Sequence, residues 1–215
     1  MNKKILCFGD SNTWGYIPGT GKRYEPEVRW PGKLAFLTGD TVVEEGLNGR
    51  TSVFSDPGLP WATGTDFIEA CVCSHDPFDL LIIMLGTNDM KTYVCNCANA
   101  SAKGTAKVVQ MARDAIGQQD LKVLIVSPIE ISERCLEIEE IKLQFSADSV
   151  SNSKKLKEAL QEQASLYNCY FLNAAEYAKA SEVDAIHLDH AGHAMLAEAI
   201  AVKVKGILKR EIQML

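Results

Sequence analysis

Residues 5–15 read Ile5-Leu6-Cys7-Phe8-Gly9-Asp10-Ser11-Asn12-Thr13-Trp14-Gly15 (ILCFGDSNTWG). Four apolar residues of strand-forming character stop at Gly-Asp, and a serine follows before any helical pattern begins. A buried strand thus ends by holding a hydroxyl between a carboxylate and an amide. Two readings compete. One is an Asp-Ser turn that caps the next element, the other a placed nucleophile.

Working outward, four more runs resemble the first. Strands are predicted at Lys4–Phe8, Thr41–Glu45, Leu80–Leu85, Lys122–Ser127 and Cys169–Leu172. Helical patterns fall between them, at Thr65–Ser74, Lys103–Ile116 and Ser153–Tyr167, and a last helix begins after Asp189 as N-cap. Strands alternating with helices point to βαβ units, hence an α/β fold with a five-stranded parallel sheet. The third and fourth runs are almost wholly apolar, as central strands covered on both faces must be. Loops 16–29 and 52–63 carry Pro and Gly and follow strand ends, where ligand-facing loops gather in such sheets.

The size and composition agree. A chain of 215 residues, 47% hydrophobic and 23% charged, suits one domain over 1–215 with a sizeable core. Its net charge of −6 argues against nucleic acid or an anionic membrane as partner. No apolar run approaches the ~20 residues that span a bilayer, and the first is too short for a signal peptide. A cytoplasmic location is therefore expected. Seven cysteines, an odd number scattered through apolar segments, fit a reducing compartment. Cys71/Cys73 and Cys95/Cys97 are spaced more tightly than structural zinc ligands usually are.

The strand ends carry the chemistry. The first closes on Gly9-Asp10-Ser11, the second on Gly46-Leu47-Asn48-Gly49-Arg50-Thr51, the third on Gly86-Thr87-Asn88-Asp89. A parallel sheet brings these ends to one side. Acyl transfer needs a hydroxyl, an imidazole within hydrogen-bond reach, a carboxylate to orient it, and fixed donors for the oxyanion. Ser11 offers its hydroxyl and its own N–H, Gly49 an N–H unobstructed by Cβ, and Asn88 a side-chain amide. Asp184-Ala185-Ile186-His187 supplies carboxylate and imidazole just before the last helix. Asp10, Asn12 and Trp14, beside the serine, are candidate substrate contacts; Asp10 and Asp89 can equally shape the turns. Arg50 and Lys91 are candidates to contact a substrate carboxylate but read more simply as solvated surface, and Trp30 as core or pocket wall.

Together these blocks resemble the SGNH (GDSL-type) hydrolases. FGDSNTWG with Arg29-Trp30, EEGLNGRT, IIMLGTNDMK and DAIH stand in that family's order and span nearly the whole chain, most closely resembling its arylesterase/acyltransferase-like branch. The resemblance implies a three-layer, flavodoxin-like doubly wound sandwich. It implies Ser11 as nucleophile, Asp184 and His187 completing a triad, and Ser11, Gly49 and Asn88 as oxyanion hole. It also implies small aryl or acetyl ester substrates, acyl transfer to alcohols or peroxide in some members, no metal or organic cofactor, and a homo-oligomer.

Other readings stay open. His187, His190 and His193 with Asp184 and Asp189 could form a metal cluster, though His190 and His193 fall on the helix and His187 before it. The substrate could instead be a sugar O-acetyl group, a lysophospholipid or a thioester. A flavodoxin-like binding protein without turnover is the non-enzymatic rival. Glu133, Glu137, Glu139 and Glu140 suggest a solvated face or oligomer rim, and Ile129–Phe145 a lining or lid of the acyl pocket.

Overall fold

Alternation along the strands sorts the core into two layers. In β1 (Lys4–Gly9) Ile5 and Cys7 point to one face, Leu6 and Phe8 to the other, and all four are fully buried. β3 (Leu80–Met84) and β4 (Val123–Ser127) repeat the division, with Ile82 and Val126 on the first face and Ile83 and Ile125 on the second. With β2 (Thr41–Gly46) and β5 (Tyr170–Asn173) they form one parallel sheet in the order β2-β1-β3-β4-β5. The computed structural model describes residues 2–208.

Following α1 (Ser11–Trp14), α2 (Trp30–Thr38) covers the first face together with the last helix, α7 (His190–Ile207). α3 (Gly64–His75), α4 (Ala98–Ala115) and α6 (Ala147–Leu166) cover the second. This is the expected three-layer sandwich. Each fully buried large aliphatic side chain contributes on the order of 1.5–3 kcal/mol, so two complete faces hold the central strands firmly.

The five predicted strands are all present, displaced by at most a residue or two at their ends. Three helices begin earlier than the apolar repeat suggests. In α6 the reason is a capping box, in which Ser146 and Ser149 satisfy each other's backbone N–H groups before the apolar stripe starts. α2 was not anticipated. Trp30, Pro31 and Leu34 face inward, but Phe36 stands 88% exposed on the outer side and erases the amphipathic signal.

Residues 129–150 form a 3-10 turn (Glu133–Leu136), the short α5 (Glu139–Lys142) and the start of α6. Glu133, Glu137, Glu139 and Glu140 are exposed, as a solvated face requires. Ile131, Cys135 and Phe145 turn inward to a third apolar cluster with Met90, Val150, Ala185 and Ile186. The segment therefore buttresses the loop before α7.

The strand order reverses between β1 and β3, whose C-terminal ends lie side by side. An open parallel sheet binds its ligand at such a switch point.

Candidate active site

Ser11 is the first residue of α1 and lies directly beyond the end of β1. Asp10 caps the turn, its Oδ1 accepting the N–H of Asn12 at 2.9 Å. Gly46 lets this turn lie on the end of β2, because a Cβ there would stand 2.2 Å from the Trp14 nitrogen.

The loop before α7 meets it. Asp184 Oδ1 accepts the N–H groups of Ile186 at 3.2 Å and His187 at 3.0 Å, folding the loop back on itself. Its Oδ2 stands 2.7 Å from His187 Nδ1, and His187 Nε2 stands 2.9 Å from Ser11 Oγ. Burial pushes the Asp184 carboxyl up, but the His187 ring and two backbone N–H groups outweigh it and hold it below the ordinary value. An ionised carboxylate only accepts, so His187 Nδ1–H donates, leaving Nε2 to accept from the Ser11 hydroxyl.

Asn12 locks this approach. Its side-chain amide donates to the Ile186 carbonyl at 3.2 Å and its oxygen accepts from Leu188 N–H at 2.8 Å, gripping the chain on both sides of His187. From the other direction Ser132 N–H donates to the Ala185 carbonyl at 3.0 Å.

Besides the serine's own N–H, two donors lie beyond the neighbouring strand ends, Gly49 after β2 and Asn88 after β3. Among the described residues the N–H groups of Ser11 and Gly49 donate to no protein acceptor. Gly49 adopts φ +79°, a conformation glycine takes at no steric cost. Asn88 spends one amide hydrogen on the Arg50 carbonyl at 3.2 Å and retains the other. Asp89 fixes these loops together, accepting from Ser52 N–H at 2.8 Å, Ser52 Oγ at 2.6 Å and the Ser101 hydroxyl. The model of the GDSL-like lipase/acylhydrolase family matches residues 7–195. The chain belongs to this family.

Solved structures agree with that membership. Est24, a carbohydrate acetylesterase from Sinorhizobium meliloti, is 32% identical, with TM-score 0.88, over 95% of this chain and 99% of that one. The aryl esterase of M. smegmatis is 33% identical, with the same TM-score and coverage. A second carbohydrate acetylesterase family member from Sinorhizobium meliloti is 28% identical at TM-score 0.84, over 96% and 99% of the two chains. No curated protein matches the chain by sequence. As an SGNH hydrolase the chain is a carboxylic ester hydrolase, and the binding-protein reading gives way.

Several expectations for this SGNH hydrolase need correction. Arg50 and Lys91 are buried, not solvated. Arg50 donates to the carbonyls of Gly9 and Glu45, with its guanidinium 3.9 Å from the Phe8 ring centroid. Lys91 pairs with Asp56 at 2.7 Å. A buried cation needs such partners, and sequence proximity to the strand ends does not reveal them. Asp10 and Asn12 are also buried and engaged with backbone, so their observed contacts organise the turn and loop. Trp14 is half-buried, and Trp30 is fully buried core.

The three histidines do not converge. His190 is exposed, while His193 is fully buried and accepts the Trp30 N–H at its Nδ1 at 3.2 Å. Burial lowers the His193 pKa to about 3, keeping it neutral. Sequence reasoning missed Tyr16, whose ring stacks on His187 with centroids 4.3 Å apart. Its only signal was an aromatic residue opening a strand-end loop. Trp14 lies 6.5 Å from Tyr16 and carries Arg23 over its ring, so an aromatic wall flanks the imidazole.

Among the described residues no helix is long and apolar enough to cross a membrane.

Proposed function

We propose that the chain is a serine esterase of small carboxylic esters, aryl or acetyl, working through an acyl-enzyme on Ser11. Ser11 Oγ attacks the ester carbonyl while His187 Nε2 takes its proton, and Asp184 stabilises the imidazolium. The N–H groups of Ser11 and Gly49 and the amide of Asn88 hold the oxyanion. One such donor is worth roughly 3–4 kcal/mol of barrier in a water-excluded site. The tetrahedral intermediate expels the alcohol, which leaves with the proton from His187. Water then attacks the acyl-enzyme, with His187 again as base, and releases the carboxylic acid and free Ser11. An alcohol or peroxide in place of water gives acyl transfer.

The observation that carries this reading is the unbroken chain from Ser11 Oγ to His187 at 2.9 Å and on to Asp184 at 2.7 Å. The likeness to Est24 favours a second substrate reading, a sugar O-acetyl group. The small-molecule ester is the only partner this reading requires besides further copies of the chain, which we propose assemble as a homo-oligomer.

Purified protein is expected to hydrolyse p-nitrophenyl acetate and to lose at least about 10⁴-fold in kcat on Ser11→Ala. A fluorophosphonate should label Ser11 in the presence of a chelator. Turnover equal in wild type and Ser11→Ala would sink the mechanism. A panel of acetylated sugars, aryl esters and longer-chain esters separates the substrate readings by kcat/KM.

A further inference from the structure

The Cys-x-Cys pair on α3 does not act as a pair. Cys73 is exposed, its Sγ 3.6 Å from the Ala115 carbonyl, whereas Cys71 is half-buried and lies beside β2. His75 follows one turn later, and an i, i+4 spacing places both side chains on one face of the helix. Across from them stands Glu45, near the C-terminal end of the edge strand β2. One ligand atom from each, Sγ, a ring nitrogen and a carboxylate oxygen, all lie within 4.8 Å of one another. Among the described residues this is the one group of three or more metal-ligating side chains so arranged.

We propose that Glu45, Cys71 and His75 bind a zinc ion, with water as fourth ligand, at a site separate from the ester-cleaving serine. The donor set is the argument. Thiolate sulfur, imidazole nitrogen and carboxylate oxygen together suit a borderline-soft ion with tetrahedral preference, and not Ca²⁺ or Mg²⁺, which take oxygen. Zinc–ligand bonds of about 2.0–2.3 Å set the ligand atoms about 3–4 Å apart. Side-chain rotations of about an ångström reach that spacing from the present one. Glu45 and His75 retain 35% and 28% side-chain exposure, so a hydrated ion can reach them.

The exchange of bonds balances. His75 Nε2 and Glu45 Oε1 now share a hydrogen bond of 2.8 Å, which both give up for the metal. In that bond Nε2–H donates to the carboxylate; on binding, this proton shifts through solvent to Nδ1, which frees the Nε2 lone pair, and Cys71 releases its thiol proton to solvent. Zn²⁺ with one thiolate and one carboxylate is neutral. Arg50, the cation that acts on both Cys71 and Glu45, therefore faces no net positive charge there. The ion braces α3 against the sheet's exposed edge strand.

Zinc titration against a chromophoric chelator tests this. Wild type is expected to bind one Zn²⁺ per chain, and Cys71→Ser and His75→Ala to bind at least about 100-fold more weakly. Cys73→Ser and Ser11→Ala should bind as wild type, which separates this site from the exposed thiol and from the esterase centre. Co²⁺ should give a thiolate-to-cobalt charge-transfer band that Cys71→Ser abolishes. The melting temperature should rise with added Zn²⁺ in wild type, Cys73→Ser and Ser11→Ala, and not in Cys71→Ser or His75→Ala. Glu45→Gln gives a further reading where Cys71→Ser folds poorly, and should also weaken binding. Zinc affinity unchanged by these substitutions, or no zinc taken from the chelator by wild type, overturns the proposal.

Discussion

Asp10 is a carboxyl buried immediately beside the proposed nucleophile. One oxygen accepts from Asn12, and the other has no hydrogen-bond partner among the described residues. Burial raises its pKa from 3.8 to about 6, against the opposing pull of the Asn12 N–H and of His187. A folded pKa above the unfolded one means that the folded chain binds more protons between about pH 4 and 6, so stability falls as pH rises through that window. Above it, the ionised group costs roughly 3 kcal/mol. Asp10→Asn keeps the capping oxygen and removes the charge. The variant is expected to exceed wild type by up to about 3 kcal/mol at pH 8, with the gap closing near pH 4, by urea unfolding at both values. A gap independent of pH would show that charge burial is not the cause.

At the scale of elements, the arrangement depends on two distant segments being held together. The short α1 and the loop before α7 lie more than 170 positions apart, yet Asn12 bonds Ile186 and Leu188 directly. The segment 131–145 closes the same loop from outside through Ile131, Cys135 and Phe145. Asn12→Ala leaves one buried carbonyl and one buried N–H unpaired, each costing about 1–3 kcal/mol. Stability should fall by about 2–4 kcal/mol, and kcat should fall with little change in KM as His187 loses its fixed approach to Ser11. Calorimetry and steady-state kinetics read the two effects separately. Wild-type kcat in a destabilised variant would confine Asn12 to scaffolding.

For the whole molecule, the layer formed by α2 and α7 raises a question of assembly. Phe36 and Val202 on these helices are 88% and 75% exposed, an unusual cost for large apolar side chains. The proposed homo-oligomer would cover them. Sedimentation equilibrium should give a multiple of the 23.6 kDa chain mass, and Phe36→Asp should shift it toward one chain with unchanged circular dichroism. A wild-type mass of one chain would remove the proposal.

Much of the molecule is readable without coordinates. Apolar runs such as LLIIM declare central strands because both faces of a parallel sheet must be dry. Gly-Asp-Ser, Gly-Thr-Asn-Asp and Asp-x-x-His name the side chains at the strand ends, since local spacing encodes turns and caps. Other features had no local signature. The burial of Arg50 and Lys91, the stacking of Tyr16 on His187 and the meeting of Glu45 with Cys71 and His75 each join residues on different elements. By itself the sequence determined the element types, the sheet's dry centre and the chemical groups at its switch point. Only the tertiary structure decided which groups are desolvated and which touch, because partners distant in the chain are chosen by strand order and packing, and no periodic pattern records those.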